Sequence, residues 1–228
     1  MKKRKIVITG ATRGLGRALT EKWLNSGHLV CGCGRSPEFI QELNERAGEN
    51  GFFSVLDVTD YEDVENWALE VTDKIGVPDL LVNNAAIINP VQNLWEISTE
   101  DFGQIIDTNL KGVFHSIRAF VPRMVKENSG IIVNMSSGWG RSVSEKVAPY
   151  NCTKFGIEGL SKALAKELPS NMACIPLNPG VIDTDMLRNA FGSHADSYPN
   201  AMEWSLTAAN YILNLKPGDS GLSLTIPQ

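Results

Sequence analysis

Seven short apolar runs recur along the chain at intervals wide enough to hold a helix between them: Ile6 to Thr9, Leu29 to Gly34, Phe52 to Leu56, Leu80 to Asn83, Ile131 to Met135, Ala173 to Leu177 and Leu222 to Ile226. Strands that are apolar at nearly every position are covered on both faces, as in a parallel sheet. The segments between them carry the helical period. After Asp60 the residues Val64, Trp67, Ala68, Val71 and Ile75 fall three and four apart, and after Tyr150 so do Ile157, Leu160, Leu164 and Leu168. The expected fold class is therefore α/β, a doubly wound, seven-stranded, mainly parallel sheet with helices on both faces. Ligands of such sheets bind beyond the carboxyl ends of the strands, so the turns leaving the strands are where the chemistry is expected.

With 228 residues, 43% of them hydrophobic, the chain can build one sizeable core; no repeat, low-complexity tract or linker divides it, and residues 1–228 read as a single domain. There are 21 basic and 26 acidic residues, with no long run of either sign beyond Lys2-Lys3-Arg4-Lys5. This balance argues against a nucleic-acid partner. Only Ile6-Val7-Ile8 follow the basic start before Thr9-Gly10, too few for a secretory signal, and no stretch is apolar enough to span a membrane. The cysteines at 31, 33, 152 and 174 lack metal-ligand spacing. They read as reduced core residues of a cytoplasmic protein with no metal, Cys31 and Cys33 pointing to one face of their strand.

The first strand runs straight into Thr9-Gly10-Ala11-Thr12-Arg13-Gly14-Leu15-Gly16 and then a helical pattern. Glycines at such a turn let backbone N–H groups and the helix N-terminus approach a pyrophosphate. Gly10, Thr12, Arg13, Gly14, Leu15 and Gly16 are thus the expected phosphate loop. The second strand ends Cys33-Gly34-Arg35-Ser36. An acid there would hold the ribose diol of NAD; Arg35 and Ser36, with Arg13 across the loop, suit the 2′-phosphate of NADPH instead. On that reading an aspartate at position 34, combined with Arg35→Ala, turns preference towards NADH.

The spacing T-G-x-x-x-G-x-G resembles that of the short-chain dehydrogenase/reductase family, and the resemblance implies a Rossmann-type dinucleotide-binding and catalytic domain. Asp57-Val58 resembles the family's adenine contact. Asn83-Asn84-Ala85-Ala86 resembles its N-N-A-G element, with Ala86 in place of glycine, and puts Asn84 and Ala85 at the cofactor. Asn178-Pro179-Gly180-Val181-Ile182-Asp183-Thr184 resembles its P-G element, which implies that Pro179, Gly180, Ile182 and Thr184 line the nicotinamide and that the pro-S hydride is transferred.

The fifth strand delivers Ser136-Ser137-Gly138, and Tyr150 and Lys154 follow at a spacing of four, on one face of a helix. Reducing a carbonyl requires a hydride, an acid for the developing alkoxide, and a group that makes the acid competent near neutral pH. Tyr150 is the expected acid, Ser137 the hydroxyl that orients the carbonyl, and Lys154 the cation that, together with the oxidised nicotinamide, lowers the tyrosine pKa while also reaching the cofactor. Asn109 is added by the family resemblance, as the residue that supports a proton relay with the lysine.

Within the family, the run Ile131 to Arg141 and Val147-Ala148-Pro149-Tyr150 resemble members that reduce pterin aldehydes with NADPH. Trp139 then offers a flat face to a heteroaromatic substrate such as 6-formylpterin, beside Ser137 and Tyr150, with Arg141 or Trp95 extending the rim. The polar block 185–200 is the expected substrate loop. Two alternatives stay open: a broad aldehyde/ketone reductase or 3-oxoacyl-carrier ketoreductase, and a dinucleotide-binding regulator without turnover. Against the last stands the complete set Asn109, Ser137, Tyr150 and Lys154. The helical segments Phe102 to Val125 and Tyr150 to Leu168 are the dimer face that the family implies, so a homodimer is expected, with a tetramer as the alternative. Only Pro227 and Gln228 follow the last run, which speaks against a tetramer built there.

Overall fold

The computed structural model describes residues 3–191 and 197–227. Its strands are β1 (Lys5–Thr9), β2 (Leu29–Gly34), β3 (Gly51–Val55), β4 (Leu80–Asn83), β5 (Gly130–Met135), β6 (Met172–Asn178) and β7 (Leu224–Thr225). They form one seven-stranded sheet in the order β3-β2-β1-β4-β5-β6-β7. Every pairing is parallel. The last run contributes only Leu224 and Thr225 to the sheet.

Period-two alternation sorts the strand residues into two cores. On one face Ile6, Ile8, Val30, Leu80, Val82, Val133 and Ile175 pack beneath Leu19 and Trp23 of α1 (Gly14–Asn25), Leu43 of α2 (Pro37–Ala47) and Trp204 and Ile212 of α8 (Ala201–Leu213). On the other, Val7, Leu81 and Ile132 pack beneath Val64, Trp67 and Val71 of α3 (Tyr61–Ile75), Phe120 and Met124 of α5 (Gly112–Lys126) and Leu164 of α6 (Ala148–Glu167). Each fully buried aliphatic or aromatic side chain contributes about 1.5–3 kcal/mol to this packing. Cys31 and Cys33 share the second face with Cys174, as free thiols pushed up to about 12 by burial. Cys152 departs from the expectation of four core thiols: it lies exposed on α6.

Local signals account for the helix limits. Asp60 accepts a hydrogen bond from the Asp63 amide at the start of α3, and Gly76 ends it at φ +75°. The segment expected as one long helix is α4 (Thr99–Ile106), a π-helical turn over Asp107–Lys111, and α5. In the block 185–200, α7 spans Asp185–Phe191, and residues 192–196 lie outside the described residues. Among the described residues no helix is long and apolar enough to cross a membrane. The strand register brings the carboxyl ends of the strands to one edge, with Thr9 beside Cys33 and Asn83 beside Asn134. The chain winds from β1 to β2 on one side and to β4 on the other, which opens a crevice at that edge.

Candidate active site

Two cavities of about 260 and 410 Å³ occupy this edge and meet at Tyr150, which lines both together with Leu15, Ser136, Pro179, Thr184 and Met186.

The first cavity is built on the glycine loop. Helix α1 begins at Gly14, and Arg13 before it makes no side-chain cap, so the first-turn amides are left for an anion. Gly14 sits at φ +51°, and a Cβ there would touch only Thr184 Cγ2 at 3.7 Å, because this backbone faces the open cleft. Gly16 serves closeness instead: a Cβ on it would lie 2.1 Å from the Gly10 carbonyl oxygen. Asn84 is a strut. Its side-chain amide donates to the Thr9 and Gly10 carbonyls at 3.0 and 3.1 Å, while the Thr9 hydroxyl accepts from the Asn84 and Ala85 amides.

At the far end of this cavity stand Arg13, Arg35, Asp57 and Val58. Arg13 stacks 5.6 Å from the Phe39 ring centroid, and Arg35, 67% exposed, lies 3.6 Å from an Asp57 carboxylate oxygen. Of the sequence-predicted cofactor residues, Gly10, Thr12, Arg13, Gly14, Leu15, Arg35, Asp57, Val58, Asn84, Ala85, Tyr150, Lys154, Pro179 and Thr184 line the first cavity. Gly180 and Ile182 line the second, and Gly16 and Ser36 line neither. A Cβ at position 34 would lie 2.6 Å from Thr12 Cγ2 and 2.8 Å from its hydroxyl, so an aspartate there would have to displace the Thr12 side chain.

The reacting groups come from β5 and α6. The Ser137 hydroxyl lies beside the buried Tyr150 phenol, where it favours the phenolate, and accepts from the Trp139 amide at 3.1 Å. Trp139 sets its ring edge-on to Tyr150, with centroids 6.0 Å apart. Lys154, one turn along α6, donates from Nζ to the Met135 carbonyl at 2.7 Å and lies 5.4 Å from the Tyr150 ring centroid. Burial dominates both titrations. It pushes Tyr150 up to about 12, against the pull of Ser137, and draws Lys154 down to about 8. In the protein alone desolvation of the phenolate exceeds what its neighbours return, and the expected lowering draws also on the charge of the oxidised nicotinamide.

Asn109 sits in the π-helical turn, as turns at functional sites often do. Its side chain accepts from the Ile87 amide and donates to the Ile87 carbonyl and Thr153 hydroxyl, which leaves it bracing the strap after β4.

The second cavity is lined by Ser137, Gly138, Trp139, Ile88, Val181, Leu187 and Tyr198, among others. Ile88, Leu187 and Tyr198 were not singled out in the sequence, beyond the inclusion of 187 and 198 in the block 185–200, because loops and a helix as short as α7 carry no readable period. The expected rim residues are elsewhere. Trp95 is 82% exposed and lines neither cavity. Arg141 turns inward, with Nε donating to Glu158 at 2.9 Å and its other nitrogens to Thr225, Pro176 and Leu224. Glu158 itself was missed, although its place four residues beyond Lys154, on the face that carries Tyr150, was a signal.

Comparison with known proteins follows the same geometry. The family model for short chain dehydrogenases matches residues 4–194. The chain is 47% identical over 225 residues to the NADPH-dependent pterin aldehyde reductase of Arabidopsis thaliana, covering 98% of this chain and 93% of that protein. It is 33% identical over 183 residues to the 3-oxoacyl-[acyl-carrier-protein] reductase of Vibrio harveyi, covering 80% and 75%. The solved structure of ElxO with NADP bound superposes with a TM-score of 0.87 at 28% identity, over 98% of this chain and 97% of that one.

Proposed function

Because the chain belongs to the short-chain dehydrogenase family, we propose that this oxidoreductase reduces small carbonyl compounds with NADPH, its substrate class being pterin aldehydes such as 6-formylpterin. The observation that carries the reading is Tyr150 at the junction of the two cavities, beside Ser137 and one helical turn from Lys154. The first cavity fits a dinucleotide in three respects: an uncapped helix start, a glycine backbone facing open space, and two arginines at the end where a 2′-phosphate would lie.

In this reading the glycine loop and the start of α1 hold the pyrophosphate, while Arg13 and Arg35 hold the 2′-phosphate. Pro179, Gly180, Ile182 and Thr184 border the nicotinamide, and the cofactor supplies the hydride when bound. Ser137 holds the substrate oxygen against Tyr150, whose phenol is protonated at neutral pH and gives its proton to that oxygen. Lys154, whose ammonium titrates near 8, is the cation that steadies the resulting phenolate. Asn109 braces the strap at Ile87, beside Ile88 of the second cavity. That cavity's apolar walls and the Trp139 and Tyr198 rings suit a flat heteroaromatic aldehyde.

Its described lining holds no basic side chain, which disfavours the 3-oxoacyl-carrier reading. The chain works as a single domain in this reading, and the exposed Phe102, Phe114 and Phe155 on α4, α5 and α6 supply the face of a homodimer. The buried free thiols fit the reducing cytoplasm. Steady-state rates with NADPH for 6-formylpterin, a simple aromatic aldehyde and a β-ketoacyl thioester test the assignment. The pterin aldehyde is expected to give the highest kcat/KM, and a higher value for the thioester would overturn it.

A further inference from the structure

Between β5 and α6 the chain makes a turn, residues 136–141, that carries Ser137 and Trp139. Both ends of this turn converge on one atom. Glu158 Oε1 accepts from the Ser136 hydroxyl at 2.7 Å and from Arg141 Nε at 2.9 Å. The other oxygen, Oε2, accepts from the Ser223 hydroxyl, with Lys162 Nζ at 3.5 Å. The carboxylate is nearly enclosed, its side chain 6% exposed.

Burial works to raise the Glu158 pKa, but hydrogen bonds from Ser223, Ser136 and Arg141, with the Arg141 charge, outweigh it and hold the group below the ordinary range. It is an ion at neutral pH. The turn also has no slack. A Cβ on Gly140 would lie 2.7 Å from the Ser136 hydroxyl and 2.8 Å from the Lys154 carbonyl, so the chain there is pressed against α6.

We propose that Glu158 is a positioning residue, which clamps the two ends of the 136–141 turn so that Ser137 and Trp139 are held in register with Tyr150. Tyr150, Lys154 and Glu158 follow one another at intervals of four along α6, on one face. A single helix therefore carries the acid and also grips the strand end that supplies the orienting hydroxyl. Lys154 holds that strand end at the Met135 carbonyl, one residue before the first clamp point. Arg141 extends the grip to β6 and β7 through Pro176, Leu224 and Thr225, and Ser223 adds a second tie from the same C-terminal segment. A loose turn would lose the separation of Ser137 from Tyr150 and would let the Trp139 wall of the second cavity drift; displacements of that kind are costly to catalysis.

The kinetic arm of the test rests on the proposed function; a second arm does not. The ratio of kcat/KM for 6-formylpterin to that for a small aliphatic aldehyde does not depend on the fraction of enzyme folded. In Glu158→Ala that ratio is expected to fall at least about fivefold and kcat on the pterin about tenfold, with NADPH affinity within about twofold of the parent. Glu158→Gln, which keeps an oxygen acceptor at the same reach, is expected to recover kcat to within about threefold. A parent-like ratio and kcat in Glu158→Ala would overturn the proposal, as would a loss of turnover with the ratio unchanged.

Hydrogen exchange of the Gly140, Arg141 and Ser142 amides, which bond within the turn, reads the clamp without turnover. Exchange is expected to quicken about tenfold or more in Glu158→Ala relative to the parent. Should that variant not fold, Arg141→Met releases one end of the turn alone and is expected to show the same change. Unaltered exchange in the folded variant sinks the clamp, whichever carbonyls the parent reduces; a parent inactive on both aldehydes counts against the functional reading alone.

Discussion

Lys154→Met is expected to stabilise the cofactor-free protein while removing its activity, and the size of the effect follows from burial. Lys154 is 4% exposed, and desolvation draws its ammonium from 10.5 down to about 8. Each pKa unit corresponds to about 1.4 kcal/mol, so at neutral pH the buried charge costs the folded state about 3 kcal/mol. Methionine removes that cost and fills similar space, but it also removes the hydrogen bond to the Met135 carbonyl, a loss of about 1 kcal/mol. The net gain near pH 7 is about 2 kcal/mol, or roughly 4–8 °C in Tm for a chain of this length.

The sign of the pH dependence is fixed by which state holds the proton. Between the folded value near 8 and the unfolded value near 10.5 the unfolded chain binds more protons, so the parent gains stability as pH rises through that window. Below about 8 both states are protonated and the full penalty applies. At about pH 9.5 only about 1.4 kcal/mol of penalty remains, and the advantage of Lys154→Met should shrink to near zero. Tyr150, pushed up to about 12, adds the opposite slope only above its unfolded value near 10, so the comparison stays below that pH. Thermal unfolding of both proteins without cofactor, at the two pH values, is the assay. A Tm gain that is the same at both, or a variant less stable than the parent at neutral pH, would refute the reasoning.

Tyr150→Phe should lower kcat by on the order of 10² or more with NADPH affinity nearly intact, since only the acid is lost; parent-like turnover would remove Tyr150 from the mechanism. Arg35→Ala should weaken NADPH by about fivefold, or about 1 kcal/mol, because a charge-assisted contact by so exposed a side chain is heavily screened. In a fluorescence titration at low salt NADH affinity should not change, and an equal loss for both cofactors would count against the 2′-phosphate assignment. Sedimentation equilibrium should give a mass near twice 24.9 kDa, and a monomer at micromolar concentration would rule out the dimer.

Much of the site was legible because it depends on spacing along one element. Tyr150 and Lys154 are four apart on a helix, and any helix there brings them to one face. Gly10 and Gly14 stand where a strand must turn into a helix, so their place at the cleft follows from local geometry. The reading failed where a side chain had a choice of partners from distant elements. Arg141 is as close in sequence to Trp139 as a rim residue would be, yet it bonds to the buried Glu158 carboxylate and to the Pro176 and Leu224 carbonyls, partners that its position in the sequence does not reveal. Trp95 had the right chemistry for the rim and lies outside both cavities.

The sequence by itself determined the alternation of strands and helices, and with it the sheet, the crevice at its carboxyl edge and the residues delivered there. These follow from periods of two and about 3.6 residues and from the conformations open to glycine, all of which are local. Only the tertiary structure decided that Asn84 braces the glycine loop, that a side chain at position 34 would press on Thr12, and that the clamp on Ser137 comes from Glu158. It alone decided the direction of the Tyr150 pKa. Desolvation depends on how much of the whole fold closes over a group, and the contacts that close over Tyr150 join segments as far apart in the chain as Leu15, Trp139 and Tyr198.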